Sequence, residues 1–227
     1  MPVGSGPRAV GWTPVKRTTV EERRAEILET TCQVVVERGF AATRVADVAN
    51  KLGVSTGLIH YHFESKDQLL AEAFQFAAEA DLARLEAEVA RAGDPIDRLD
   101  LIFKLYTPDE AEPGWMMWID GWGEALRSPA LKAISRDLDL RWKNVLQEII
   151  ETGATDGLFR CVDPEATAWR LAALLDGLGV QMTVHEDLIS HEQLLALVRT
   201  AACGELGLAP GSFAARTRPA GQRSGAA

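Results

Sequence analysis

The sequence predicts an all-α protein with a small N-terminal helical domain and a larger C-terminal one. Nearly every segment between the two ends carries apolar residues at helical spacing, and no alternating pattern favours a strand. Capping residues, glycines and prolines divide these segments into helices of ordinary length. Apolar residues make up 47% and charged residues 25% of the 227 residues, which suits a soluble protein with a sizeable core.

The composition divides the chain into four regions. Residues 1–18 are rich in Gly, Pro and Val without a period and predict a disordered arm, and residues 209–227 predict a disordered tail. Between them we expect two helical domains, over 19–65 and 66–208. Residues 1–70 carry nine Lys/Arg and eight Asp/Glu, whereas the remainder carries 15 and 25. The first third is therefore the part suited to approach a polyanion.

The first helices are predicted from their apolar spacing and their caps. Apolar residues at i, i+4 and i+7 predict a first helix over 20–38. Thr43 is a candidate N-cap for a helix over 45–52, and Ser55 is a candidate N-cap for one over 55–61.

The remaining helices follow from similar signals. Ser65-x-x-Gln68 has the form of a capping box, so we expect a long helix from Ser65 toward residue 92. Prolines and glycines separate five further predicted helices, over 95–106, 114–126, 129–153, 164–184 and 191–206.

Residues 52–63, LGVSTGLIHYHF, contain two patterns that are typical of catalytic or metal sites. G-x-S-x-G around Ser55 is the pattern of a hydrolase nucleophile elbow, but an elbow needs a strand before the serine and the preceding residues are helix-patterned. His60 and His62 suggest a metal, but residues two apart on a helix point about 200° apart. No cysteine or carboxylate stands at ligand spacing, so we expect neither catalysis nor a metal here.

A third interpretation of this stretch is a helix-turn-helix. Ala49 lies where the two short helices cross, and Gly53 has the freedom to adopt a positive φ in the turn. The positions expected to face inward are Val48, Leu52, Val54, Ile59 and His62. The second helix leaves an outer face of Thr56, Gly57, His60 and Tyr61. A helix with such a face fits the major groove of DNA.

The segment from Arg23 to Leu70, RRAEILETTCQVVVERGFAATRVADVANKLGVSTGLIHYHFESKDQLL, resembles the helix-turn-helix of TetR-family transcriptional repressors. The GF after the first helix, the D-V-A of the second, the G-V-S turn and the closing F-x-S-K carry the resemblance together. The family usually shows Tyr-x-Tyr-Phe where this chain has His60-Tyr61-His62-Phe63. The resemblance implies an all-helical homodimer with a DNA-binding N-terminal domain and an effector-binding C-terminal domain.

The resemblance also implies contacts with DNA at particular residues. The expected phosphate contacts are Thr43, Ser55, Tyr61 and Lys66, and the expected base contacts are Thr56, Gly57 and His60. Arg44 adds a candidate contact with the DNA backbone. For Thr43 and Ser55, helix capping is an alternative role for the hydroxyl.

The second domain contains a tryptophan stripe. Trp115, Trp118 and Trp122 fall at i, i+3 and i+7 of one predicted helix. The stripe allows two interpretations: an aromatic core with solvated acids, or a pocket of indoles closed by a carboxylate, which favours a cationic amine. Paired acids also suggest a glycosidase, although no sheet is present to form a cleft. The candidate effector-binding residues are Trp115, Trp118, Asp120, Trp122, Glu124, Trp142 and Trp169.

The last two predicted helices suit a dimer. They carry aliphatic faces and two small residues, Gly177 and Gly179, as a four-helix bundle between subunits requires. We therefore predict a cytoplasmic, ligand-responsive repressor that binds a double-stranded, pseudo-palindromic DNA operator as a homodimer. A small-molecule effector is expected to release it from the operator. We expect no cofactor, no metal and no enzymatic activity. The alternatives are an all-helical enzyme and a protein-interaction dimer that does not bind DNA.

Overall fold

The computed structural model describes residues 19–108, 114–185 and 188–213, which form nine α-helices and no strand. The all-α prediction is therefore confirmed for these ranges, and the predicted arm over 1–18 lies outside them. Of the described helices, none combines the length and the apolar character that crossing a membrane requires. The helices are α1 (Val20–Arg38), α2 (Val45–Leu52), α3 (Thr56–His62), α4 (Lys66–Arg91), α5 (Pro95–Tyr106), α6 (Gly114–Ala125), α7 (Pro129–Thr155), α8 (Pro164–Val184) and α9 (His191–Leu206).

Helices α1, α2 and α3 share one small apolar core with the first turns of α4. Ile27 of α1, Val48 of α2 and Ile59 of α3 are buried in this core, and Leu69 and Ala73 of α4 complete it. Because α4 belongs to this core and continues for 26 residues, it joins the three-helix unit to the rest of the molecule. A displacement of α4 therefore moves the N-terminal unit with it.

The larger core lies among α5, α7, α8, α9 and the second half of α4. Phe213 is buried in it, with its ring centre 5.7 Å from that of Phe103. Residues 209–213, predicted as the start of a disordered tail, are therefore ordered, because an aromatic side chain in this segment packs into the core. Residues 214–227 of the predicted tail lie outside the described residues. Helix α6 contacts α1 on one side and α7 and α8 on the other, so it lies between the N-terminal unit and the larger core.

Two predicted caps differ from the structure. Thr43 is not the N-cap of α2: Arg44 occupies that position with extended backbone, and its amide donates to Asp47 Oδ2 at 3.0 Å. Ser65 caps α4 as predicted, but the Gln68 side chain accepts from the Glu64 amide rather than from that of Ser65. The reciprocal half of the predicted capping box is therefore shifted by one residue.

Candidate functional site

The turn between α2 and α3 has the geometry of a helix-turn-helix. Gly53 ends α2 with φ 74° and ψ 31°, a left-handed conformation that glycine adopts without strain. Ala49 is buried where the two helices meet, and Ser55 caps α3 by accepting a hydrogen bond from the Leu58 amide at 3.2 Å. Ile59 anchors the inner face of α3 in the core. These contacts fix the angle between α3 and α2.

The opposite face of α3 is open to solvent. Thr56, Gly57, His60 and Tyr61 are all exposed, and Tyr61 is 74% exposed. The sequence of α3 contains no acidic residue, so the helix brings no negative charge to a polyanionic partner. An exposed, acid-free helix face of this width fits a major groove.

The nucleophile-elbow interpretation of this stretch is wrong. The residues before Ser55 form α2 and its turn rather than a strand, and the Ser55 hydroxyl is engaged in capping α3. The two histidines occupy different surroundings, because His60 is exposed whereas the His62 ring lies 5.1 Å from Tyr61. Among the residues that the structure describes, no group of three His, Cys, Asp or Glu side chains is placed to hold a metal ion.

Arg24 of α1, which the sequence analysis did not single out, holds the end of α3. Its guanidinium donates to the carbonyl of His62 at 2.6 Å and forms an ion pair with Glu72 of α4. It also lies 4.3 Å from the centre of the Phe63 ring. A charged group bonded to two helices and stacked on an aromatic ring restrains both helices. The i to i+38 spacing of Arg24 and His62 gives no local sequence signal for this clamp.

The α1–α2 turn, residues 39–44, is tied to its surroundings by polar contacts. Thr43 is buried, and its hydroxyl donates to the Gly39 carbonyl at 2.7 Å, so this side chain is not available to a phosphate. Lys66 donates to the Ala41 carbonyl at 3.2 Å from the first turn of α4. The Arg44 side chain is exposed beside this turn. Arg44 and Lys66 remain candidate phosphate contacts, whereas Thr43 does not.

The predicted tryptophan stripe lines a small inner chamber between α4, α5, α6 and α7. Trp122 lies 6.3 Å from Trp115 and 5.8 Å from Trp118, measured between ring centres. Tyr106 of α5 packs edge-on against Trp115 at 5.5 Å and against Trp142 of α7 at 5.4 Å. The chamber measures about 80 Å³. Rings from three helices thus form an aromatic cage, as the second interpretation of the stripe requires.

The two acids predicted to close this cage lie elsewhere. Asp120 faces the N-terminal unit, where its Oδ2 accepts a hydrogen bond from the Phe40 amide at 2.6 Å. Glu124 does not line the chamber. The reason is helical geometry: a residue two positions from Trp118 or Trp122 points about 200° away from it. The expectation that these acids face the tryptophans was therefore wrong.

Carboxylates reach this region from three other helices. Asp81 of α4, beside Arg84, and Asp139 of α7 line the chamber, and Asp176 of α8 is bonded to its wall residue Tyr106. Asp139 Oδ1 accepts a hydrogen bond from the Trp122 indole at 3.3 Å, and Asp176 Oδ1 accepts one from the Tyr106 hydroxyl at 2.5 Å. Burial raises the pKa of Asp139 to about 6, and the nearby charge of Asp176 adds to this shift. Burial also raises the pKa of Asp176, and burial together with the charge of Asp176 raises the pKa of Tyr106.

A larger outer cavity of about 790 Å³ adjoins the chamber between α6, α7 and α8. The two share four wall residues, Tyr106, Trp122, Asp139 and Trp142. Trp169, a candidate effector residue, lies half-exposed at this outer cavity and not in the chamber. The Lys143 Nζ atom lies 5.1 Å from the centre of its ring. Chamber and outer cavity thus adjoin at these four residues and form one candidate site with aromatic and charged walls.

An aromatic series leads from the chamber to the α1–α2 turn. Trp118 packs edge-on against Phe74 of α4 at 4.9 Å, and Phe74 packs against Phe40 in the turn at 6.0 Å. A Cβ atom at Gly121 would lie 2.9 Å from the Phe74 ring, so glycine is what permits this approach of α6. Together with the Asp120–Phe40 hydrogen bond, these contacts join the candidate pocket to the helix-turn-helix.

Gly179 has a similar role at the chamber wall. A Cβ atom at this position would lie 2.3 Å from the Trp115 ring, so the close approach at Gly179 is made within the chain and not by a second subunit. Gly177, in contrast, faces open space. The expectation that both glycines serve a dimer interface is therefore wrong for Gly179.

Two regions of the chain match known protein families. Residues 27–73 match the profile of bacterial regulatory proteins of the tetR family, and residues 95–207 match that of the BetI-type transcriptional repressor C-terminal domain. The HTH-type transcriptional regulator BetI of Burkholderia lata is 32% identical over 166 residues, which cover 71% of this chain and 82% of that protein.

Comparison with solved structures also finds transcriptional regulators. A transcriptional regulator from Saccharomonospora viridis, crystallised in complex with choline, is 31% identical with a TM-score of 0.74, over 82% of this chain and 98% of that one. A TetR-family regulator from Rhodococcus sp. is 28% identical with a TM-score of 0.71, over 82% of this chain and 100% of that one.

Proposed function

Since the chain belongs to the TetR family of bacterial regulatory proteins and is a ligand-responsive transcriptional regulator with a BetI-type repressor domain, we propose that it acts as a homodimer on a pseudo-palindromic operator and is released by a small cationic effector. Helix α3 of each subunit enters the major groove, and the two copies lie about 34–36 Å apart on one side of the duplex. Because its target is the bacterial chromosome, its place of action is the cytoplasm.

The outer face of α3 is the observation that carries the DNA-binding part of this proposal. Thr56, Gly57 and His60 are exposed where base edges would lie, and absence of a side chain at Gly57 permits close approach of the backbone. Tyr61 is exposed, and we expect its hydroxyl to donate a hydrogen bond to a phosphate. Ser55 keeps its capping role, and Arg44 and Lys66 bring positive charge to the flanking phosphates.

A cationic effector is supported by the chemistry of the chamber. The indole and phenol faces attract a cation with apolar surface, and the carboxylates of Asp139 and Asp176 supply the opposite charge. The S. viridis relative was crystallised with choline, a ligand of this chemical class. An alkylammonium group held among Trp115, Trp118 and Trp122 is therefore the effector that we expect here.

Release from DNA requires that the effector favour an arrangement of the dimer with weaker operator affinity. A group seated against Trp118 bears on Phe74 of α4 and, through it, on Phe40 in the α1–α2 turn. We propose that this contact and the Asp120 hydrogen bond move the N-terminal unit when the chamber fills. Coupling of this kind is typically worth about 1–3 kcal/mol.

The homodimer is supported by the exposed apolar side chains of α8, α9 and the loop between them. Val184, Leu188 and Leu197 are each at least half exposed in the single chain. Leu188 and Leu197 line, together with Leu178 and Ile189, an apolar surface that a second copy would cover. A two-fold interface here would hold two α3 helices in a fixed relation.

A mobility-shift assay with the DNA upstream of the protein's own gene tests the proposal. We expect a salt-sensitive shift that a quaternary ammonium ligand such as choline reverses. Tyr61→Ala should weaken the shift about tenfold or more, because it removes a phosphate contact. The matched control is Leu126→Ala, which truncates another highly exposed side chain at the end of α6. Lack of any shift, with and without ligands, would contradict the proposal.

A further inference from the structure

Lys143 is a buried ammonium in the wall of the outer cavity. Its side chain is 7% exposed, its Nζ donates to Gln147 Oε1 at 3.2 Å, and it faces the Trp169 ring. Among the described residues, the single carboxylate within ion-pair distance is that of Glu165, which is well exposed and 3.8 Å away. A buried charge needs a closer partner than this to offset the loss of hydration.

Asp139 lies one helical turn before Lys143 on α7. An acid followed by a base at i+4 is the favourable order for an ion pair within a helix. The described structure has no such pair: the Asp139 carboxylate faces Ser135 Oγ at 3.5 Å and the Trp122 indole, whereas Lys143 faces Gln147 in the opposite direction. Both residues line the outer cavity. Asp139 and Lys143 therefore present opposite charges to one cavity without forming an ion pair with each other. Asp176, a second carboxylate of this cavity, is bonded to the Tyr106 hydroxyl.

The space around these charges suits a ligand that carries both signs. The outer cavity, at about 790 Å³, falls within the usual range for small-molecule sites. Trp142 lines both the cavity and the chamber, and its buried indole N–H has no acceptor among the described residues. Lys132 and Arg136 also line the cavity, but both are exposed, where water screens their charge.

We propose that the effector is a zwitterion whose cationic group occupies the aromatic chamber near Asp139 and whose anionic group, such as a carboxylate, binds Lys143. The indole N–H of Trp142 is a second donor for the anionic group. This inference rests on the proposed cation-binding function of the same pocket and adds a requirement for the opposite charge. Among cationic ligands of similar size, those that also carry an anionic group should therefore bind more tightly.

Calorimetric titration of the full-length protein with paired ligands tests the proposal. Each pair joins a trimethylammonium group through the same alkyl spacer to either a carboxylate or an alcohol. We expect the wild type to bind the best carboxylate about tenfold more tightly than its alcohol, an effect of the size expected for a buried charge pair. Lys143→Gln should abolish this preference without weakening the alcohol. Lys143→Arg, which keeps the charge, should retain a preference.

Arg141→Gln is the control, because it removes a positive charge from an exposed position on the same helix. It should leave the carboxylate preference unchanged. A wild type that binds carboxylate and alcohol equally, or a preference that survives Lys143→Gln, overturns the zwitterion inference and leaves the cationic effector standing. If neither ligand of any pair binds, the cationic effector and the zwitterion inference are both overturned.

Discussion

Asp139, at the scale of the single residue, has a carboxylate whose charge is disfavoured by its surroundings. Burial raises its pKa from 3.8 to about 6. Because the pKa is higher in the folded chain, the folded state binds more protons than the unfolded state between these values. The stability that Asp139 contributes is therefore fully present below pH 3.8 and is lost as the pH rises through about 6. A cation bound beside the ionised carboxylate would offset this loss.

Cation binding should depend on pH through Asp139. If only the ionised carboxylate binds the effector well, affinity at about pH 5 should be about tenfold lower than at about pH 7.5, because about one molecule in ten is then ionised. Tryptophan fluorescence titration with a quaternary ammonium ligand measures the effect. Asp139→Asn should bind weakly at both pH values. A wild-type affinity that is independent of pH would show that Asp139 does not face the bound cation.

The acids at the cage show where sequence reasoning fails for single residues. The tryptophan stripe was predictable because its spacing lies within one helix. Asp139, Asp176 and Tyr106 belong to three different helices, and Tyr106 and Asp176 are 70 positions apart in the chain. Only tertiary packing brings them together. Asp120 and Glu124 were chosen because they are close in sequence, although helical periodicity directs them away from the stripe.

At the scale of the element, α6 packs against two different parts of the molecule. The tryptophans line the chamber, while Asp120 on the other side accepts a hydrogen bond from the α1–α2 turn. A helix that contacts a ligand on one face and a DNA-binding unit on the other is suited to couple the two sites. A Cβ atom at the exposed Gly123 would meet nothing within 4 Å, so this position of α6 faces open space.

Asp120→Ala should weaken the coupling between effector and operator. The substitution leaves the Phe40 amide without its acceptor, while the chamber keeps all its walls. We expect effector affinity within about twofold of wild type, but a several-fold smaller effect of effector on operator affinity. Fluorescence anisotropy of a labelled operator, with and without effector, measures both quantities.

Glu124→Ala, one turn further along α6, is the matched control for this experiment. Its side chain makes no hydrogen bond or ion pair with the described residues and does not line the chamber. It should leave coupling unchanged. If the effector changes the operator affinity of Asp120→Ala as much as that of the control, the hydrogen bond to Phe40 does not transmit the response.

Helix limits were predictable to within a few residues because caps and breakers are local signals. Ser55, Ser65 and Gly53 act where the sequence indicates. Thr43 was misassigned because threonine is a common N-cap residue, whereas in the folded chain its buried hydroxyl donates to the Gly39 carbonyl instead. Its hydroxyl lies inside the protein, so the next residue takes the extended conformation at the start of α2.

At the scale of the whole molecule, charge and apolar surface are separated. The acid-free face of α3 belongs to a unit that carries little net charge, whereas the acidic remainder carries the exposed apolar residues of α8 and α9. The packing of residues 209–213 against the core was not predictable from composition. Phe213 lies in a stretch rich in Gly, Ala and Arg, and only the position of Phe103 in the folded chain provides its site.

Leu197→Glu should separate the subunits and thereby reduce operator affinity. Leu197 is 50% exposed in the single chain, and a buried charge at a two-fold interface would meet its own copy. Losing the second α3 helix should lower operator affinity by about a hundredfold or more. Sedimentation velocity and operator anisotropy measure the two effects. The control is Leu126→Glu, at an 83% exposed leucine, which should change neither the oligomeric state nor the operator affinity. If the Leu197→Glu protein is still a dimer, the interface lies elsewhere.

The Arg24 clamp determines what an effector is able to change. The C-terminal end of α3 is bonded to Arg24 of α1, which is itself paired with Glu72 of α4. We therefore expect α3 not to tilt independently of these two helices. In the proposed homodimer, the distance between the two copies of α3 is then the quantity that an effector would change. Consider operators that differ only in the number of base pairs between their half-sites. The order of their affinities should then differ between the protein without effector and the protein with effector bound. On a suitably re-spaced site, the same small molecule would recruit the protein to DNA instead of removing it.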